Sequence, residues 1–278
     1  MAAGGLLPAH ILHFRYRVRI YAWLHRNRPG PRFRPPNEEA LVLSPTKTDR
    51  SGNFLLDRLP KEEHYRLLRS GEAVSLPHGF EICRQGRPIS HVYFPSTGAI
   101  CLMVFMEDGK AIHATCVGNE GMVGLPIFFG LDFSPATVIA QVPGQSVRIP
   151  SASFSQALRS SAALGKLVRR YVAYSLRLAN QTAACNRLHS VQQRLCWWLL
   201  LAQDWNGQHE ELFFTHEFLA EMLGVRRQTV SAIAGSLQSA GVISYRRGAL
   251  RIINRQGLVG ACCECYPVTK ALYQQIMQ

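Results

Sequence analysis

The chain has 278 residues, room for one or two domains, and a 47% hydrophobic share that supports a real core. Its formal net charge of +13 suits a polyanionic partner and carries no information about fold. Eight cysteines in a chain of this size do not make a disulfide scaffold and point to a reducing, cytoplasmic setting; no charge-free run of about 18 apolar residues occurs, which argues against a helical membrane span.

Residues 1–50 differ from the rest. Arg15, Arg17, Arg19, Arg26, Arg28, Arg32 and Arg34 all precede the first acidic residue, Glu38, and Pro29, Pro31, Pro35 and Pro36 break any helix beyond His25. Ile11 to Leu24 suits a short basic amphipathic helix. Three readings compete: an arm that adds nonspecific phosphate attraction, an Arg-rich, acid-poor organelle-targeting peptide, or an upstream extension from a misplaced start codon. The segment is too charged for a secretory leader. The composition favours a disordered extension without essential function.

Residues 51–160 open with a helical preface, Asn53–Ser70, whose Phe54, Leu55, Leu59, Leu67 and Leu68 suit packing. Glycines then punctuate short apolar segments: Ala73–Leu76, Val92–Phe94, Ile100–Phe105, Ile112–Cys116, Thr137–Val142 and Ser146–Ile149. Asp108-Gly109 is a tight-turn signal between two of them. Short strands at this spacing predict a sandwich, barrel or roll. The glycine-rich Gly118–Gly124 stretch lacks the lysine and following helix of a phosphate loop and reads as a turn of that roll.

Residues 161–188 predict one long helix. Leu164, Val168, Tyr171, Ser175, Leu178, Thr182 and Cys185 recur by fours and threes, the spacing of a coiled-coil seam. Either the helix dimerises through Leu164, Val168, Tyr171, Leu178 and Cys185, or it lies as an amphipathic helix on its own domain. A second helix, His189–Trp205, is heavily apolar through Leu195, Trp197, Trp198, Leu199 and Leu200.

The stretch from Thr215 to Ile253 carries the strongest functional signal. Thr215 can cap a helix, Leu219, Met222 and Leu223 recur at helical spacing, and Gly224 stops the helix where a left-handed residue is needed. A second helix runs from about Arg226 to Ala240 with Val230, Ile233 and Leu237 as its buried stripe, and Gly241 ends it. Ala220 is small where two helices would cross. This is the spacing of a helix-turn-helix. The outer face of the second helix carries Arg226, Arg227, Gln228, Thr229 and Ser231. Arginine and glutamine can pair with guanine and adenine edges, and hydroxyls suit phosphate. A basic hairpin follows with Arg246, Arg247, Arg251 and Arg255. Because pairing on two half-sites raises affinity, this unit favours the dimeric reading of the long helix.

The tail, 257–278, contains Cys262, Cys263 and Cys265. Adjacent cysteines seldom chelate one ion together, and no Cys-x-x-Cys or paired histidine follows, so these thiols are weak metal candidates; a packed tail is preferred over a redox or metal switch. No catalytic constellation is present: there is no Walker loop, nucleophile elbow or His-Glu-x-x-His. The chain is expected to be no enzyme and to need no cofactor.

In order, a glycine-punctuated roll, a long helix and a C-terminal winged helix resemble the Crp/Fnr family of bacterial transcription regulators over about residues 53–256. The most specific pieces are Gln193-Arg194-Leu-Cys-Trp-Trp-Leu-Leu, Phe218-Leu-Ala-Glu-Met-Leu-Gly-Val-Arg-Arg-Gln-Thr-Val and Leu237-Gln-Ser-Ala-Gly-Val-Ile. The Cys263–Tyr266 run is similar to a tail found after the wing in such sequences. The resemblance implies an α+β chain: a basic extension (1–50), a cyclic-nucleotide-binding-like β-roll or double-stranded jelly roll (51–160), a dimerisation helix (161–188), a winged helix-turn-helix (189–256) and a cysteine-containing tail (257–278). It implies a homodimer on a two-fold site in double-stranded DNA and leaves RNA polymerase open as a second partner. The recognition pattern arginine-acid-Thr-Val falls on Arg227–Val230 with Gln228 in place of the acid, and a family arginine one turn later falls on Ala232, so base preference is expected to differ.

The family's ribose-binding glutamate and its phosphate-binding arginine and Ser/Thr fall on Gly124, Ser134 and Pro135. The charge-assisted phosphate partner is therefore missing, and Pro135 lacks a backbone N–H. Arg148 is the nearest substitute, on a strand surface. Control by cAMP is not expected. Iron–sulfur sensing needs N-terminal cysteines, and residues 1–82 contain none. Haem would need axial ligands, for which His78, His91 and His113 are candidates in principle. The alternative is a ligand-binding or redox- or metal-sensing module that acts through a protein partner.

Overall fold

The computed structural model describes residues 42–43, 50–106, 111–207, 211–246 and 249–278. Most of the basic extension, the Asp108-Gly109 turn and Arg247 lie outside the described residues. Within the stretch expected to be disordered, a two-residue strand β1 (Val42–Leu43) pairs antiparallel with β2 (Glu72–Leu76).

The helical preface is split by its proline. A 3-10 turn (Leu56–Arg58) precedes Pro60, which has no N–H to continue a helix, and α1 (Lys61–Leu68) starts after it. The buried Asn53 side chain ties this corner to the roll. Its oxygen accepts from the backbone N–H of Leu55 and Leu56, and its amide donates to the carbonyls of Pro95 and Gly121, both at 2.8 Å. Phe54, expected to pack, is instead exposed, while Leu55, Leu59 and Leu67 are buried.

Two antiparallel four-stranded sheets make the roll. One runs β1-β2-β8-β4, with β4 at His91–Pro95 and β8 at Gly144–Pro150; the other runs β3-β7-β5-β6, with β3 at Phe80–Cys83, β5 at Ala99–Phe105, β6 at Ala111–Val117 and β7 at Thr137–Val142. Six of these eight strands fall where the apolar segments predict them; beside β1, only β3 was not predicted, its pattern being too short to stand out. Val74, Leu76, Tyr93, Ile100, Val117, Val123, Val138 and Ala140 fill the space between the sheets. Gly98 is required at its turn: its φ is +73°, and a Cβ there would lie 2.5 Å from the Val142 carbonyl oxygen. Cys101 and Cys116 stand opposite each other on β5 and β6 and form a disulfide. A single disulfide beside six free cysteines is no disulfide scaffold, but strand register brings these two thiols face to face, a pairing the cysteine count did not suggest.

Three helices follow: α2 (Ser151–Ser160), α3 (Ala162–Leu188) and α4 (Val191–Trp205). The Ser161 hydroxyl accepts from the Leu164 N–H and starts α3. Ser190 and Gln193 form a capping box that starts α4. The break at His189–Ser190 therefore comes from a new cap rather than a helix-breaking residue.

The expected dimer seam of α3 is corrected. Leu164, Val168 and Tyr171 are buried in the chain's own core with Phe154 and Phe94, and Cys185 is buried against the DNA-binding domain. Leu178 is half-buried between the two. The helix lies on its own domain with this stripe inward. A residue already covered by its own chain cannot also face a partner.

The C-terminal domain contains β9 (Glu211–Phe213), α5 (His216–Leu223), α6 (Arg227–Ser239), β10 (Ile243–Arg246), β11 (Ala249–Ile252), α7 (Arg255–Ala261) and α8 (Cys265–Met277). Its sheet runs β10-β11-β9. The tail is not loose: α8 lies along α3, with Tyr273 edge-on to Tyr174 at 5.2 Å.

Candidate nucleic-acid interface

Each part of the helix-turn-helix has a local cause. The Thr215 hydroxyl accepts from the Phe218 N–H at 3.1 Å and starts α5. Gly224, at φ 67°, ends it, with its N–H bonded to the Ala220 and Glu221 carbonyls. Arg194 of α4 reaches 29 residues along the chain to donate to the Leu223 carbonyl at 2.8 Å, satisfying another group at that helix end. Buried Val230, Ala234 and Leu237 fix α6 on Ala220, Met222 and Leu223. The opposite face is thereby turned outward, and Arg226, Arg227, Gln228, Thr229 and Ser231 are all exposed.

Arg226 is the N-cap of α6, and no side chain caps this helix. Its first amides therefore combine with the helix dipole to favour an anion. Arg227 makes a 3.5 Å ion pair with Glu217 of α5, both side chains about two-thirds exposed, so the pair contributes little and does not lock the guanidinium. The Ser231 hydroxyl is already engaged with His216 Nδ1 at 2.8 Å. Burial first, then Arg227, pushes the His216 pKa down.

The hairpin of β10 and β11 is the wing. Tyr245 anchors it: its N–H donates to Gln238 of α6 at 2.8 Å, and its hydroxyl bonds the Phe214 carbonyl. Arg246 and Arg251 are exposed on it, and Arg247 lies outside the described residues. Arg255 does not belong to the wing. It starts α7 and turns inward, pairing with Asp204 at 2.8 Å and bonding Gln203 and the Tyr266 hydroxyl. Its role is to hold α7 and α8 to α4.

The roll and the DNA-binding domain touch through residues for which the sequence suggested no such contact. Glu120 accepts from the Trp205 indole N–H at 2.8 Å and the Gly118 N–H at 3.2 Å; burial pushes its carboxyl up. A Cβ on Gly118 would meet the Trp205 ring at 1.9 Å, and one on Gly121 the Tyr171 hydroxyl at 2.2 Å. The glycine-rich stretch is thus a roll turn whose missing side chains let α3 and α4 approach. Beside it, His113 of β6 sits edge-on to Phe218 of α5 at 5.4 Å. Both its ring nitrogens are buried without a hydrogen-bond partner, and burial pushes its pKa down to about 4. Paired spacing could not reveal this contact, because its two halves are about a hundred residues apart. Among the other histidines raised as axial ligands, His78 bonds the Gln141 carbonyl and His91 the Ser90 hydroxyl.

The effector-pocket positions do converge. Gly124, Ser134 and Pro135 line one cavity of about 160 Å³ between the roll and α3, with Leu102, Val138 and Tyr171. That is smaller than the roughly 300–1,000 Å³ of ordinary small-molecule sites. Among the described residues, no lysine or arginine lines it. Gly124 has φ +104°, and a Cβ there would lie 2.7 Å from Val92, so a glutamate does not fit without moving β4. Ser134 spends its hydroxyl on the Ala136 carbonyl at 2.6 Å. Arg148, the one nearby substitute, is committed to Glu72 at 2.6 Å across β8 and β2. A larger cavity, about 690 Å³, lies between the roll, α3, α4 and α8, walled by Trp197, Trp198, Trp205 and Tyr174. Among the tail cysteines, Cys263 and Cys265 are buried and Cys262 is half-buried.

Among the described residues, no helix is long and apolar enough to cross a membrane. No curated protein sequence matches the chain. Solved structures share its fold. FixK2 from Bradyrhizobium japonicum is 17% identical, with a TM-score of 0.59 over 69% of this chain and 98% of its own. A putative transcriptional regulator of the Crp/Fnr family from Eubacterium rectale is 18% identical, with a TM-score of 0.58 over 76% and 99%. The c-di-GMP responsive regulator CLP of Xanthomonas campestris is 16% identical, with a TM-score of 0.52 over 69% and 99%. Two domain models match in the order of the fold, a cyclic nucleotide-binding domain over residues 73–161 and a Crp-like helix-turn-helix domain over 193–260, together more than half of the sequence. The chain therefore belongs to the Crp/Fnr family of transcription regulators, which are DNA-binding proteins and not enzymes.

Proposed function

We propose that the chain reads a two-fold promoter site as a homodimer, with Arg227 and Gln228 on base edges and Arg226, Thr229 and Ser231 on phosphates or flanking bases. The wing arginines Arg246 and Arg247 grip the backbone. The observation that carries this reading is the outward-turned first turn of α6, which has no side-chain cap and presents Arg226 to Thr229 at the helix N-terminus.

Dimerisation uses the outward stripe of α3 in place of the covered seam. Arg169, Ala173, Leu176, Asn180 and Ala183 recur by fours and threes and are all exposed, with Leu176 64% exposed. DNA binding does not depend on cAMP. The roll cavity is small, has no cation for a cyclic phosphate, and has no room for a ribose-binding carboxylate at Gly124. A fluorescence-anisotropy titration of the chain's own upstream DNA at several salt concentrations tests the reading. Salt-sensitive, site-preferring binding is expected; no binding at low salt to any sequence contradicts it.

A further inference from the structure

The clearest cluster of reactive side chains outside the DNA-binding face lies at the hinge between α3 and α4. Cys185 and His189 sit one turn apart at the end of α3. Cys263 and Cys265 flank Glu264 at the junction of α7 and α8. Their four donor atoms all lie within 4.8 Å of one another.

We propose that Cys185, His189, Cys263 and Cys265 form a closed tetrahedral binding site for one zinc-type divalent ion. The edges of the site fit. Cys185 Sγ lies 3.7 Å from Cys263 Sγ, and Cys265 Sγ lies 3.5 Å from His189 Nδ1. A tetrahedral zinc with S and N bonds of about 2.3 and 2.0–2.1 Å has S···S and S···N edges of roughly 3.8 and 3.6 Å. The surroundings fit as well. His189 turns its other nitrogen, Nε2, to the Glu264 carboxylate at 3.2 Å, the usual way an imidazole ligand is oriented. The Gln181 amide donates to Cys265 Sγ at 3.1 Å, which would offset thiolate charge. The three cysteines are buried or nearly so, and all four corners come from protein. No corner is left for a substrate, so the site is structural in kind.

Binding is a ligand exchange without a redox step. The three thiols release their protons to solvent as the ion sheds its waters. The ion joins the end of the long helix to the segment just past the wing, across the break where α3 meets the DNA-binding domain. Cys262 is not part of it and serves as the control.

Metal analysis of the full-length chain, purified under reducing conditions, should find one zinc per chain. After chelation, Co2+ alone should give the thiolate charge-transfer and tetrahedral ligand-field bands. Cys185→Ser and Cys263→Ser should each weaken Co2+ binding at least tenfold, Glu264→Gln by about 10- to 100-fold, and Cys262→Ser should leave it unchanged. Cobalt without thiolate charge transfer in the wild-type chain overturns the proposal, whether or not the serine variants fold. A Cys185–Cys263 disulfide in anaerobically isolated protein, or equal loss of binding in Cys262→Ser, also overturns it.

Discussion

The roll and the helix-turn-helix have been treated oppositely within one fold. At α6 the charged groups are turned to solvent: Arg226 and Arg227 are exposed, and Arg227 pairs with the surface carboxylate of Glu217. In the roll, the nearby arginine, Arg148, is tied to Glu72, the serine donates to its own turn, and the glutamate position is a glycine pressed on Val92. The roll of the family is retained, while the polar groups at these positions are engaged in internal packing. A family fold does not carry its ligand along with it.

Breaking the proposed dimer should have the largest effect on this contrast. Leu176→Asp puts a charge at the centre of the exposed stripe of α3, away from the chain's own core. It should give monomers by sedimentation and lower affinity for a two-fold site by about 10²–10⁴, the range expected when paired binding is lost. A dimer that survives this change, with DNA affinity intact, moves the interface elsewhere.

Arg227→Ala should cost about 1–3 kcal/mol at the cognate site and relax base choice there. Arg246→Ala should weaken all sequences alike and lower the salt slope by about one. The two variants separate base reading from backbone grip; similar profiles would refute the assignment of α6 to base reading.

The contact between the two regions should respond to pH. Burial holds the His113 pKa near 4, below its ordinary value, so the packed state favours the neutral ring. Its contribution is full above about pH 6.5 and is lost as pH falls toward 4, on the order of 2 kcal/mol by pH 5. Urea unfolding of wild type and His113→Phe across this range reads the effect. An equal pH slope in both would remove His113 from the account.

Much of this was legible in the sequence where the causes are local. Thr215, Gly224 and Gly241 punctuate the helix-turn-helix, and the apolar segments mark six of the seven roll strands that the structure shows between Glu72 and Pro150. What local pattern could not reveal was which surface covers which. The four-and-three stripe of α3 is real, yet periodicity cannot tell a partner's helix from the chain's own roll and α8. Arg255 adjoins the wing in sequence but is drawn inward by Asp204, 51 residues earlier. The tail cysteines look ill-spaced for a metal until the fold brings Cys185 and His189 beside them. Each of these depends on pairs far apart in the chain.

The most direct test of the central claim is one anisotropy titration of the wild-type protein on its upstream DNA, at fixed salt, with and without saturating cAMP. The account predicts site-preferring binding whose affinity is the same within about twofold in both conditions. A gain of tenfold or more with cAMP, about 1.4 kcal/mol of coupling, would contradict it by showing that the roll still takes the nucleotide.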